Sequence, residues 1–261
     1  MADLQTITKL RERTGAGMMD CKKALDEAHD DMELAIEILR KKGESKAAKK
    51  ADREATEGLI ASSENDQNIA IVALACETDF VAKNEDFIAS VQKYADKLLE
   101  MNDEQAFRTF ADEDVKRELV VKIGENIHIL QAKLFVKTDK FVGSYIHLNK
   151  KIAAVVVLSG GSVEVARDIA MHISAMQPDY LKPEDVPADV LAKEKEIYKE
   201  QLRAENKPAD MIDKIIEGKI NKFYEEVCLM KQFFIKDDKK KIEQLLSENS
   251  AQIETYQLVK I

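Results

Sequence analysis

The stretch Asn68-Ile69-Ala70-Ile71-Val72-Ala73-Leu74-Ala75-Cys76-Glu77-Thr78-Asp79-Phe80-Val81 decides the fold. Eight apolar residues run from Ile69 to Cys76 without a charge, a short uninterrupted run that reads as a buried strand. Glu77-Thr78-Asp79 ends it, and Phe80-Val81 opens a helical stretch from about Ala82 to Met101. A second helical stretch, Asp112 to Ile123, stops at Gly124. Ile127 to Val136, Phe141 to Leu148 and Lys151 to Leu158 are rich in β-formers, and Asn149-Lys150 joins the last two as a hairpin turn. Val163 to Met176 returns to helical spacing through Val165, Ile169 and Ile173. Strand, helix, strands and helix in this order predict an α+β core, an antiparallel sheet with helices on one side.

Upstream, the spacing predicts a compact bundle of three helices. Asp3 caps the first, with Leu4, Ile7 and Leu10 on one face, and Thr14-Gly15-Ala16-Gly17 breaks it. Met18, Cys21, Leu25 and Ala28 mark the second. Leu34, Ile38 and Leu39 mark the third, stopped at Gly43. From Arg40 to Arg53 seven basic residues stand against Glu44 and Asp52, a charged helix linking the bundle to the core. Residues 182–226 stand apart as an inserted antiparallel helical hairpin. Its seams run through Val186, Val190, Lys193, Ile197, Gln201 and Ala204, then Ile212, Ile216, Lys219 and Phe223, with a break at Asn206-Lys207-Pro208. After it, Val227 to Ile235, a helix from about Asp238 to Ser247 and Ile253 to Ile261 resume the core. The implied domains are 1–53, 54–139, 140–181 with 227–261, and the 182–226 insertion.

Composition narrows the function. With 45% hydrophobic and 34% charged residues the chain can bury a core. Forty basic against 49 acidic residues give a net charge of −9, which argues against duplex nucleic acid as the main ligand. Cys21, Cys76 and Cys228 are widely spaced with no CxxC, so neither a disulfide framework nor a zinc ribbon is expected. The N-terminus lacks the basic-then-apolar pattern of a signal peptide, and the apolar stretch Ile152 to Leu158 is too short to cross a bilayer. A soluble, cytoplasmic protein is the expectation.

Enzyme constellations are missing. Gly15-Ala16-Gly17 follows a helix and not a strand, so it is no dinucleotide fingerprint, and there is no P-loop. His29, His128, His147 and His172 lack metal-ligand spacing, and no metal or cofactor is expected. His172 reads as a packed core histidine, and Cys76 as a small buried hydrophobe. The basic run 40–53 has two readings, a solvated linker or a contact with an acidic partner or RNA. Thr78-Asp79-Phe80-Val81 also has two. Phe80 either staples the helix to the core or protrudes as an aromatic anchor of a protein interface.

Longer motifs add to this reading. Leu10-Arg11-Glu12-Arg13-Thr14-Gly15-Ala16-Gly17-Met18-Met19-Asp20-Cys21-Lys22-Lys23-Ala24-Leu25 resembles the N-terminal signature of bacterial elongation factor Ts, and Cys76-Glu77-Thr78-Asp79-Phe80-Val81-Ala82-Lys83 resembles its second. Lys122-Ile123-Gly124-Glu125-Asn126-Ile127, Gly143-Ser144-Tyr145-Ile146-His147, Ala170-Met171-His172-Ile173 and Lys182-Pro183-Glu184-Asp185-Val186 fit in the same order. The resemblance spans essentially the whole chain.

The resemblance implies a guanine nucleotide exchange factor for elongation factor Tu, with no catalytic residues or cofactor of its own. It implies a ubiquitin-associated-like N-terminal bundle, two related sheet-and-helix subdomains and a coiled-coil insertion that could support self-association. Thr78, Asp79, Phe80 and Val81 would form the contact that disturbs the partner's Mg²⁺ site and promotes GDP release. The partner would be met in its GDP-bound and nucleotide-free forms. Met18, Met19, Ile123, Gly124 and His147 match further contacts, and no membrane or direct nucleic-acid binding is implied. Many members carry a further helical module past the final strand. This sequence stops at Ile261, so lower affinity is the expectation. An RNA-binding translation protein using residues 40–53 is the alternative.

Overall fold

A computed structural model describes residues 3–205 and 207–261, apart from the side chains of Glu44, Lys46, Ala209 and Asp210. Asn206, part of the expected break in the hairpin, lies outside the described residues. The chain forms two compact units. One is Met1–Thr138 with Leu148–Ile152 and Val259–Ile261, and the other is Asp139–His147 with Ala153–Leu258.

The first unit opens with α1 (Leu4–Thr14), α2 (Met18–Glu27) and α3 (Met32–Lys50). Asp3 caps α1 by accepting from the Thr6 amide, and Gly15 ends it with φ 66°. Ile7, Leu10, Cys21, Ala24, Leu25, Ala35 and Leu39 make the small core between the three helices. Leu4 and Leu34 were expected to point inward, yet both are exposed, Leu4 by 69%. Gly43 does not stop α3, which runs on through the basic segment. A β-carbon there would stand 2.1 Å from Val121 Cγ2, so this glycine serves close packing rather than termination. Ala47 and Val121 each join the core on the other side of that seam. The bundle and the first sheet with its helices therefore pack as one body.

Next come β1 (Glu57–Glu64) and β2 (Asn68–Cys76), α4 (Asp79–Ala82), α5 (Glu85–Met101) and α6 (Glu104–Asp114). A π turn (Val115–Leu119) leads through α7 (Val120–Ile123) to β3 (His128–Val136). The strands form an antiparallel sheet in the order β1-β2-β3. Every residue of β2 is buried. Ala70, Val72, Leu74 and Cys76 share a core with Phe87, Val91, Tyr94 and Leu98 of α5 and Phe107 of α6. The single helix expected from Ala82 to Met101 is split, because the Asn84 side chain caps α5 by accepting from the Asp86 and Phe87 amides. Strand β1 was not foreseen, since only Gly58 to Ala61 of it is strongly apolar.

The second unit holds β4 (Phe141–Ile146), β5 (Ile152–Ser159), α8 (Val163–Met176), α9 (Ala188–Ala204), α10 (Ala209–Val227), β6 (Phe233–Phe234), β7 (Asp237–Lys241), α11 (Ile242–Glu248) and β8 (Gln252–Lys260). The sheet order is β4-β5-β8, and β6 and β7 form a separate antiparallel pair. Ala154, Val156 and Leu158 of β5 pack with Ile169 and Ile173 of α8, and with Leu229, Phe234, Ile242 and Leu246. The connection from β4 to β5 runs from His147 to Lys151 and not through a two-residue turn. The helix expected from Asp238 begins only at Ile242. The charged run before it pairs with Phe233 and Phe234, a strand its composition hides.

His172 is a core histidine as expected. Its Nδ1 accepts from the Ile235 amide, which leaves Nε2 to donate to Gln232 Oε1 at 3.0 Å. Burial holds its pKa below the ordinary value. The hairpin α9–α10 forms, with Ile212 and Ile216 buried in its seam as expected and the rest of the seam displaced by one residue. Leu202, Ile212, Ile216 and Ile220 are buried, flanked by Leu191, Tyr198, Ile215 and Tyr224. Tyr198 and Leu202 thus replace Ile197 and Gln201, and Ile220 and Tyr224 replace Lys219 and Phe223. Lys219 instead lays its ammonium over the Tyr198 ring at 5.2 Å. Among the described residues no helix is long and apolar enough to cross a membrane.

Strand β4 lies directly against α8 at Gly143, where a β-carbon would stand 2.2 Å from the Arg167 amide nitrogen. Backbone cannot yield as a side chain does. Gly143→Ala should therefore destabilise by about 3 kcal/mol, lowering the melting temperature by roughly 6–12 °C. Gly218, exposed within α10 with nothing within 4 Å, should show the opposite sign. Gly218→Ala should gain about 0.5–1 kcal/mol in the same melt, from helix propensity alone.

Candidate functional site

The turn after β2 is built by a carboxylate reaching across from the end of α7. Glu125 Oε2 accepts from the Glu77 amide at 2.9 Å and the Thr78 amide at 3.1 Å, and its Oε1 accepts from Thr78 Oγ1 at 2.6 Å. The exchange is returned. Glu77 Oε1 accepts from the Asn126 amide at 2.6 Å, and Asn126 Nδ2 donates to the Arg53 carbonyl at 2.7 Å. Arg53 also approaches both Glu77 oxygens at 3.4 Å. Charge-assisted bonds of this kind are about twice as strong as neutral ones.

Thr78 then caps α4, its Oγ1 accepting from the Val81 amide at 3.4 Å. Ala82 is buried, and Val81 packs against the first core. These two residues do the stapling that Phe80 could have done. Phe80 is 81% exposed, so the staple reading of this aromatic is corrected. Asp79 bonds Lys83 at 2.7 Å on the same face. That bond is the main cause holding its carboxyl below the usual range, and Lys83 is raised in return. Asp79 is therefore anionic at neutral pH, on the shoulder of a protruding ring.

Other predicted residues fall into two groups. Met18 and Met19 open α2 in the same unit as the turn, and Met19 is 64% exposed. Ile123 is packed partly into the first core. Gly124 ends α7 at φ 88°, its amide bonded to the Val120 carbonyl and its own carbonyl accepting from Lys50 Nζ. These last two position Glu125 and Asn126, which sequence reasoning missed as functional. The signal was there: two polar residues directly after a helix-ending glycine. His147 lies exposed at the end of β4 in the second unit.

The basic segment is largely occupied by the fold. Lys41 meets Glu37 at 2.8 Å, Lys42 meets Glu27 at 2.6 Å and Arg40 meets Glu118 at 4.0 Å. Arg53 and Lys50 are taken up by Glu77 and the Gly124 carbonyl. Cys76 is buried beneath the turn with its thiol pushed up to about 12, first by burial and then by Glu125 and Glu57. It is a poor nucleophile, as expected of a structural cysteine. Among the described residues no group of three or more His, Cys, Asp or Glu side chains could hold a metal ion.

The family model described as elongation factor TS matches residues 77–261, beginning at the turn itself. The chain belongs to the elongation factor Ts family. Elongation factor Ts of Nitratiruptor sp. is 47% identical over 259 residues, covering 93% of this chain and 85% of that relative. Those of Hydrogenobaculum sp. and Hahella chejuensis are 44% and 43% identical, over 97% and 95% of this chain and 96% and 87% of theirs. Such matches take in the N-terminal bundle as well, and make the chain a translation elongation factor.

In this member of the elongation factor Ts family the Glu125 brace has a measurable consequence. Glu125→Ala leaves two amides and a hydroxyl without their charged acceptor, which should cost about 2–3 kcal/mol. Hydrogen exchange at Glu77 and Thr78 should accelerate while the centre of β2 stays protected. Unchanged exchange at both amides would mean that the brace does not hold the turn.

Proposed function

We propose that the chain is a guanine nucleotide exchange factor for elongation factor Tu and acts by binding alone, with no catalytic chemistry or cofactor of its own. The observation that carries the reading is Phe80, a large aromatic left in water on a turn braced from both sides. An exposed aromatic held rigidly loses little entropy on docking, so most of its burial appears as affinity. Asp79 accompanies it as a fixed anion. Entering between two helices of the GTPase, the pair disturbs the site that holds Mg²⁺ on bound GDP. Mg²⁺ neutralises phosphate charge, so its displacement weakens nucleotide binding. By linkage, a factor that favours the nucleotide-free form is itself expelled when GTP rebinds.

Around this centre the remaining parts take supporting roles. The ubiquitin-associated-like bundle docks through Met18 and Met19, and Ile123, Gly124 and His147 belong to the wider contact. The hairpin α9–α10, read as a coiled coil, serves association with a second copy or a further surface of the partner. The site of action is the cytoplasm. A factor that binds RNA through residues 40–53 is the weaker reading, because most of those cations already face carboxylates or carbonyls of the fold.

The test is release of labelled GDP from purified elongation factor Tu. Phe80→Ala should weaken the factor by roughly 30-fold or more, the effect of losing about 2 kcal/mol or more at an anchor, with circular dichroism unchanged. Asp79→Ala should impair release as well. Near-wild-type exchange by both variants would sink the mechanism. Replacing residues 184–225 by a glycine-rich linker should leave substantial GDP release and alter association, read by sedimentation. A folded but wholly inactive replacement would assign the hairpin a direct part in exchange.

A further inference from the structure

Leu148 leaves 93% of its surface in water, more than Phe80 does. It opens the turn Leu148–Ile152, which belongs to the first unit, and the turn is held without it. Asn149 Oδ1 accepts from the Lys151 amide at 3.0 Å, and the Lys150 carbonyl accepts from the Ile60 amide at 2.7 Å. The Ile261 amide bonds the Lys151 carbonyl at 3.0 Å, and Lys151 pairs with Glu57. None of these bonds involves the Leu148 side chain. A leucine with nearly all of its side chain in water is thus carried on a loop that other groups hold.

The support also fixes where it is exposed. Glu57 is the register partner of Cys76, the residue immediately before Glu77-Thr78. At the far end of α4, Lys83 is raised mainly by Asp79 but also by the charge of Glu57. Loop and turn are therefore both tied to the same end of the β1–β2 pair, the loop through Lys151 and Glu57 and the turn through Cys76. Exposed apolar anchors on a braced support, with charged side chains nearby, are the features an interface uses for affinity and for choice of partner.

We propose that Leu148 is a second apolar anchor on the docking surface that carries Phe80, seated in an apolar depression of the same GTPase partner. The inference rests on the docking reading of Phe80. Continuity with that turn selects the occupant over a second copy of this chain. The two anchors differ in role. Phe80 stands beside the Asp79 anion and acts on the nucleotide site, whereas Leu148 is outside that turn and adds affinity only.

GDP release measured against factor concentration separates them. Leu148→Ala should raise the half-saturating concentration roughly tenfold, about 1.4 kcal/mol, and leave the maximal release rate and the melting temperature unchanged. Leu148→Met should restore near-wild-type half-saturation. A wild-type half-saturation for Leu148→Ala, beside a strongly impaired Phe80→Ala, overturns this inference and leaves the docking reading intact. Wild-type release by Phe80→Ala overturns both. A fall in melting temperature for Leu148→Ala assigns the leucine to the fold and overturns the proposal.

Discussion

Nine consecutive residues of β2 are removed from water on both faces. A backbone so buried must satisfy its amides and carbonyls through its neighbours, since an unpaired one costs about 1–3 kcal/mol. That requirement recruits β1 on one side and β3 on the other, and places α5 and α6 over the face formed by Ala70, Val72, Leu74 and Cys76. It also fixes where the strand must end. At Glu77 the chain meets charge and leaves the sheet, so the turn begins from an immobile point.

Beyond that point, polar bonds set geometry and apolar burial sets stability. Glu125 and Glu77 each accept from the other's segment, so the end of α7 and the end of β2 hold one another. Val81 and Ala82 seat the short α4, while Phe80 turns the other way. A four-residue helix has little stability of its own. It persists because Thr78 caps it and the core beneath it is complete. Leu148 is presented by the same logic, through a loop tied to the edge of β1.

The legible part of the sequence was the part governed by burial. The uninterrupted apolar run of β2, the four-residue spacing of α8 and the Gly15 break each reflect a periodicity that packing enforces. The candidate turn was legible for the same reason, since an aromatic beside a carboxylate at a strand end is conspicuous. Less visible were elements whose identity depends on distant partners. Strand β7 is Asp237-Asp238-Lys239-Lys240-Lys241, which only pairing with Phe233 and Phe234 makes a strand. Gly43 imitates a helix stop because nothing local reveals Val121 against it. Ile212 and Ile216 sit in the seam of the hairpin as their spacing implied, but in α9 the seam lies one residue further on, because Val190 and Ile197 are as apolar as Leu191 and Tyr198 and only the facing helix chooses between them. Glu125 carried only a local signal, its place directly after the helix-ending Gly124; that it braces Glu77 and Thr78 depends on a partner 47 or more positions away.

The brace between Glu125 and Thr78 joins residues 47 positions apart in the chain, and β2 pairs with β3 across a somewhat longer separation. Contacts of such sequence separation form late, because closing the intervening loop must precede any reward. During synthesis the strand and its turn emerge well before the residues that complete them. Helices α1 to α3 and the hairpin α9–α10, whose partners are near in sequence, need no such wait. The order of assembly therefore sets an order of competence. A nascent chain carries its bundle early, and acquires a rigid Asp79-Phe80 turn only after Glu125 and β3 have been made.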